Sequence, residues 1–172
     1  MSKFLPKMYQ KSIYDIDYKK IKKKNIKCLL FDLDNTCVPY KEKTASKELI
    51  KLFNKLKNMG FQVILFSNSP RKRLKRFQNL NVEYNAFSLK PFRYSFHKIL
   101  KNYNYQKEEI MIIGDQLLTD IYGGNKIGIL TCLVDPINDD ELSVTKLSRL
   151  LEKYKINQLT KKNQLKRGEY YE

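Results

Sequence analysis

Short apolar runs alternating with helical patterns are the feature that most constrains how this chain folds. Cys28 to Phe31 is an uninterrupted apolar run ending at Asp32. Phe61 to Phe66 is rich in β-formers, Tyr84 to Phe87 is a weaker run, and Ile110 to Ile113 ends in Gly114-Asp115. Ile129 to Val134 is the fifth. Apolar runs this short, without polar alternation, read as strands buried on both faces. The segments between them carry helical signals. Leu49, Leu52, Phe53, Leu56 and Met59 share one face of a helix from Ala45 to Met59, which Gly60 stops. Ser69-Pro70 reads as an N-cap followed by proline at the first helical position. Helices are also predicted over Tyr94 to Tyr103 and from about Leu118 to Lys126, closed near Gly128.

Strands separated by helices imply βαβ units and a parallel sheet covered on both faces. The fold class is therefore α/β, a single doubly wound sheet. Residues 1–27 are basic with scattered aromatics and are expected to pack on a domain spanning 28–154. Asp140 to Tyr154 is predicted to be a helix at the domain edge, and 155–172 a polar, frayed tail.

In an open α/β sheet, function sits at the carboxyl ends of the strands. Four successive strands here deliver Asp32-Leu33-Asp34-Asn35-Thr36, then Ser67-Asn68-Ser69, then Lys90-Pro91, then Gly114-Asp115 to one edge. Each group alone reads as a turn or a cap. Their order along one edge is what points to chemistry. Aspartates converging on one edge repel each other unless a cation compensates. Hard oxygen donors without histidine or thiolate point to Mg²⁺ rather than zinc. Magnesium with carboxylates and a substrate phosphate is an arrangement for phosphoryl transfer, which needs positioning and charge neutralisation above all. An aspartate can attack phosphorus, and a neighbouring carboxyl can protonate the leaving oxygen and then activate water.

The string Asp32-Leu33-Asp34-Asn35-Thr36 resembles the first motif of the haloacid dehalogenase (HAD) superfamily. Ser67, Lys90 and Gly114-Asp115…Asp120 resemble its second, third and fourth motifs. The longer string from Gly114 to Asn125, with Ser67-Asn68-Ser69 and Lys90-Pro91, is similar to the YqeG family of subfamily IIIA HAD phosphatases. Mitochondrial phosphatidylglycerophosphate phosphatases share the same motifs. The resemblance covers about Leu5 to Leu150. It implies a Rossmann-like HAD fold and a Mg²⁺-dependent phosphatase, with Asp32 as nucleophile and metal ligand. It makes Asp34 the general acid/base, lending its backbone carbonyl to the metal. Ser67 would bind phosphoryl oxygens, and Lys90 would neutralise charge on Asp32 and the phosphoryl group. Thr36 and Asn68 are expected at the substrate beside them. Asp115 would be the further metal ligand, and Asp120 would stand behind it or orient Lys90. HAD enzymes often insert a cap after the first or second motif; those gaps hold only a loop and helix, then a helix and short strand, so no cap domain is expected. An open site of this kind admits a large substrate: a lipid headgroup, a protein or a nucleic acid end.

With 34 Lys and Arg against 18 Asp and Glu, the formal charge of +16 favours polyanionic partners. Lys19 to Lys27 and Arg71 to Arg76 are the basic clusters, each also readable as a solvated face. Phe4, Leu5, Met8, Tyr9, Ile13 and Tyr14 interleave with lysines, a pattern that suits either an anionic membrane surface or packing on the domain. His97, mid-helix, is read as structural. Three widely spaced cysteines, Cys28, Cys37 and Cys132, with no C-x-x-C pair, argue against a disulfide scaffold or zinc site and fit a reducing compartment. No apolar stretch approaches the ~20 residues that span a bilayer. The expectation is a cytoplasmic phosphomonoesterase, peripheral to the membrane if its substrate is phosphatidylglycerophosphate and part of phospholipid metabolism. The alternatives are a phosphatase of a soluble metabolite or nucleic acid end, and a basic nucleic-acid-binding protein with a relic site.

Overall fold

The computed structural model describes residues 3–138 and 146–170. Its centre is a seven-stranded sheet in the order β4-β3-β2-β5-β6-β1-β7. The strands are β1 (Met8–Gln10), β2 (Cys28–Phe31), β3 (Gln62–Phe66), β4 (Glu83–Asn85), β5 (Ile110–Gly114), β6 (Leu130–Val134) and β7 (Glu169–Tyr170). All neighbours pair in parallel except β7, which runs antiparallel to β1.

Alternate residues of each strand serve opposite faces, as the pleat demands. Leu29, Phe31, Val63, Leu65, Met111 and Ile113 join one core cluster with Leu49, Phe53 and Leu56 of α2 (Lys47–Asn58). Cys28, Leu30, Ile64, Phe66, Ile110 and Ile112 join another with Phe96 and Ile99 of α4 (Arg93–Tyr103). Both faces are therefore covered, which is why the strands read as continuous apolar runs. Phe31 meets Phe53 at 5.0 Å and Phe66 meets Phe96 at 4.8 Å between ring centroids. Burying each ring contributes roughly 2–3 kcal/mol.

Local chemistry sets the element ends. Ser46 caps α2 by accepting the Leu49 N–H at 3.1 Å, and Gly60, at φ +82°, turns the chain out of it. Between β2 and β3 the chain has one loop and α2; between β3 and β4 it has α3 (Arg71–Leu74) and a 3₁₀ turn. No cap domain interrupts either gap.

The termini differ from expectation. Residues 1–27 are not merely packed on the sheet, because Met8–Gln10 pairs with β6 as a strand and Tyr18–Lys23 forms helix α1. Met8 and Ile13 are each 1 % exposed, so these two residues of the amino-terminal apolar stripe face the core, while Tyr14 is exposed. Phe4 stacks on Tyr122 at 4.8 Å. The tail is ordered too: α6 (Lys146–Lys161) runs past the expected end at Tyr154, and β7 pairs with β1. Leu159 and Leu165 are buried against Leu117, Ile121 and Leu133, and that contact anchors the segment. The first part of the predicted edge helix, 140–145, lies outside the described residues.

Candidate active site

Strand order places the site. The chain leaves β2 toward β3 and β4, then returns to β5 on the other side of β2. The carboxyl ends of β2 and β5 therefore flank a topological switch point, where crossovers diverge and leave a crevice. Asp32 follows β2 and Asp115 follows β5, and both are buried.

Lys90 enters between them from the loop after β4. Its ammonium donates to Asp32 Oδ1 and to Asp120 Oδ1, each at 2.7 Å. Burial is the strongest influence on Lys90 and pulls its pKa down, but Asp120 and Asp32 outweigh it, so the pKa lies above normal. Burial likewise pushes the Asp120 carboxyl up, with the Lys90 charge pulling back. With two carboxylates in contact Lys90 keeps its proton, and its charge opposes the effect of burial on Asp120. Oxygens of Asp32, Asp115 and Asp120 lie within 4.8 Å of one another. Asp34 is not in that carboxylate cluster.

Asp120 reaches Lys90 because of an irregular turn. Leu117–Ile121 forms a π-helical turn leading into α5 (Tyr122–Ile127), with the Ile121 N–H donating to Gln116 O five residues back. The turn folds Asp120 under Gly114, where an added Cβ would lie 2.2 Å from the Asp120 carboxylate. Only glycine leaves room there. Glu152 of α6, 3 % exposed, accepts the Leu118 N–H at 2.8 Å and ties this turn to the carboxyl-terminal helix.

Asp34 has a different environment. Its Oδ2 accepts the Ser69 hydroxyl at 2.5 Å, and its Oδ1 accepts Arg73 Nε at 3.0 Å and Nη2 at 2.8 Å. Burial, the largest effect, raises its pKa; the Ser69 and Arg73 hydrogen bonds lower it, and Asp32 raises it further. Arg73 also donates to the carbonyls of Glu42 and Pro39, so one guanidinium ties α3 to the loop after β2. Ser69 was expected to cap the helix. Instead Pro70 is the capping residue, and the serine hydroxyl turns to Asp34.

Thr36 and Asn68, expected at the substrate, also hold the site's own residues in place. The Thr36 hydroxyl donates to Asp115 Oδ1 at 2.7 Å and accepts the Asp115 N–H at 3.0 Å. Its donor is thus committed to holding Asp115 in place. Asn68 accepts the Lys90 N–H at 2.7 Å and donates to the Lys90 carbonyl at 3.0 Å. That pair of hydrogen bonds fixes the Lys90 backbone from the motif after β3. Ser67, 2 % exposed, sits at the same edge and accepts the Ser69 N–H at 3.2 Å. His97 is exposed on α4. Arg73 and Glu152 carry no sequence signal of their own. Arg73 lay within the basic cluster beside the motif, but its partner is decided only by packing.

A doubly wound sheet without a cap, with this carboxylate–lysine arrangement at its switch point, places the protein among the HAD-type phosphatases. The chain belongs to the family described as mitochondrial PGP phosphatase, whose family model matches residues 1–138. It is 34% identical over 163 residues to the probable phosphatase YqeG of Bacillus subtilis (strain 168), covering 94% of this chain and 95% of that one. The chloroplastic/mitochondrial phosphatidylglycerophosphate phosphatase 1 of Arabidopsis thaliana is 25% identical over 147 residues, 80% of this chain and 42% of that protein. Among solved structures, an uncharacterized protein from Listeria monocytogenes serotype 4b superposes with a TM-score of 0.54 at 21% identity, covering 76% of this chain and all of that one.

Proposed function

We propose that this phosphatase removes a terminal phosphate from an anionic lipid headgroup, phosphatidylglycerophosphate, through an aspartyl-phosphate formed on Asp32. The carrying observation is the Lys90 ammonium at 2.7 Å from both Asp32 and Asp120, beside a carboxylate cluster within 4.8 Å. The lipid substrate is supported by the Arabidopsis relative's name and by the +16 charge.

The donor set fits Mg²⁺. The clustered ligands are carboxylates, hard oxygen donors suited to magnesium. Burial, with Asp32, Asp115 and Asp34 adding to it, raises the Cys37 pKa, so that neighbour stays a neutral thiol and a poor ligand. Asp32 and Asp115 would hold the ion, with the Asp34 backbone carbonyl. Bound there, it would neutralise charge on the phosphoryl oxygens.

The chain's own groups supply the rest. An Asp32 carboxylate oxygen forms the new P–O bond as the ester P–O bond breaks. The leaving oxygen takes the Asp34 proton. Asp34, now a carboxylate, removes a proton from water, and the water oxygen attacks phosphorus. The Asp32–phosphorus link then breaks, releasing phosphate and restoring Asp32. Lys90 holds Asp32 in line and offsets the charge that accumulates, while Ser67 binds a phosphoryl oxygen.

The test is a substrate panel with and without chelation. Turnover should vanish in EDTA and return with Mg²⁺, and kcat/KM should be higher for phosphatidylglycerophosphate than for sugar or nucleotide phosphates. Chelator-resistant turnover would remove the metal, and preference for a soluble phosphate would remove the lipid.

Arg73→Ala probes the acid. Arg73 lowers the Asp34 pKa, so its loss lets burial push that pKa higher. The pH-rate limb governed by Asp34 should move to higher pH. The freed carboxyl should also cost about 10–100-fold in kcat through misplacement, and Arg73→Lys should restore part of it. An unmoved pH profile would mean that Arg73 does not act through Asp34.

A further inference from the structure

The segment that delivers Lys90 to the site also carries the most exposed apolar side chains near it. From Phe87 to Lys90 the side chains alternate: Ser88 and Lys90 are buried, while Phe87 and Leu89 are each 59% exposed. Phe92 and Tyr94 follow at 66% and 75%. Phe87 and Leu89 both sit at φ +50°, the left-handed region that bulky residues avoid. The backbone is held there from below. The Phe87 N–H donates to Ser69 O at 3.1 Å, the Ser88 N–H to Ser67 O at 3.0 Å, and the Phe92 N–H to Leu89 O at 2.8 Å. The apolar side chains are thus displayed by a segment anchored to the catalytic loop after β3.

Cations surround them. Phe87, Leu89 and Tyr94 line one cleft of about 610 Å³ with Arg71 and Lys98. Arg93 lies between Phe92 and Tyr94 and is exposed. Among the described residues none of these three cations is in a salt bridge. Glu83 also lines the cleft, but its carboxylate accepts from Gln62 at 3.0 Å and from the Tyr103 hydroxyl. Arg71 donates to the Tyr84 hydroxyl at 3.5 Å and Arg93 to the Lys126 carbonyl at 3.4 Å, neutral partners that leave their charge uncompensated. Aromatic and aliphatic side chains set among such cations match a membrane surface in two ways: apolar groups enter the headgroup boundary, and the cations meet lipid phosphates.

We propose that Phe87–Tyr94 docks the protein on an anionic lipid bilayer. Phe87, Leu89, Phe92 and Tyr94 enter the interface, and Arg71, Arg93 and Lys98 contact headgroup phosphates. The proposal deepens the lipid reading of the site and rests on it: a headgroup phosphate would reach Asp32 with its acyl chains still in the bilayer. It also moves the membrane contact away from the amino-terminal stripe, whose Met8 and Ile13 are buried.

The chain has no tryptophan, so Phe92→Trp is a sole fluorescent reporter. Full-length Phe92→Trp protein is titrated, without substrate, with vesicles of phosphatidylcholine alone or containing about one-third phosphatidylglycerol. The expected result is a blue shift of the emission with the anionic vesicles only, weakening as salt rises. Co-sedimentation of Phe87→Ser/Leu89→Ser/Phe92→Ser should fall at least about tenfold below the parent, with circular dichroism showing the same fold. Should the triple variant misfold, Arg93→Glu/Lys98→Glu is read the same way. Unshifted emission, undiminished sedimentation of the variant, or self-association that the triple variant abolishes without vesicle binding would each overturn the proposal. Binding is read apart from turnover, so its failure leaves the phosphatase reading untouched. Loss of hydrolysis of dispersed lipid with binding intact would strike the substrate reading instead.

Discussion

Asp32→Asn should lower phosphatase turnover by at least about 10³-fold while leaving the fold in place. An amide is a poor nucleophile toward phosphorus, and it presents no anion to a metal. The fold should survive because the amide oxygen still accepts from Lys90, whose second partner, Asp120, is unchanged at 2.7 Å. The Asp32 N–H also keeps its ladder bond to Ile113 O at 2.9 Å. The measurement is the initial rate on a phosphate monoester beside a thermal melt. A variant keeping a tenth of the parent rate would show that another group attacks phosphorus.

The second large effect is at Lys90. Its side chain is 2% exposed between two carboxylates. Lys90→Met leaves those carboxylates buried without their partner, and breaking a buried pair from one side costs about 3–5 kcal/mol. For a chain of this size that is roughly 6–20 °C in Tm. Turnover should fall as well, since nothing then holds Asp32 or offsets the developing charge. Adding Asp120→Asn to Lys90→Met removes one of the stranded charges. The double variant should recover much of the stability and none of the activity. Stability that stays low in the double variant would mean that lost packing, rather than stranded charge, dominates. Full activity of Lys90→Met would remove Lys90 from the chemistry.

The core of the fold was legible because burial on two faces leaves a mark along the chain. The apolar run of β2 was read as Cys28 to Phe31 and the strand has those bounds, and α2 falls within Ala45 to Met59. β1 and β7 were not legible. Three and two residues long, they are too short for any period to register, and they exist because of partners more than a hundred residues away. Helix α6 was cut short because its polar composition hides the contact that anchors it, a few buried groups such as Leu159 and Glu152.

The sequence by itself determined which chemical groups follow the buried strands and in what order, because burial on both faces leaves a local apolar run whose end is visible along the chain. Asp32 and Asp115 come together at one edge for that reason, with Lys90 on Asp32. Only the tertiary structure decided what each group touches: Asp120 on the Lys90 ammonium, Arg73 and Ser69 on Asp34, Thr36 on Asp115, and Asn68 on the Lys90 backbone. A hydrogen bond depends on how separate elements pack to within tenths of an ångström. Periodicity along one element records which face is buried, but carries nothing about what lies opposite.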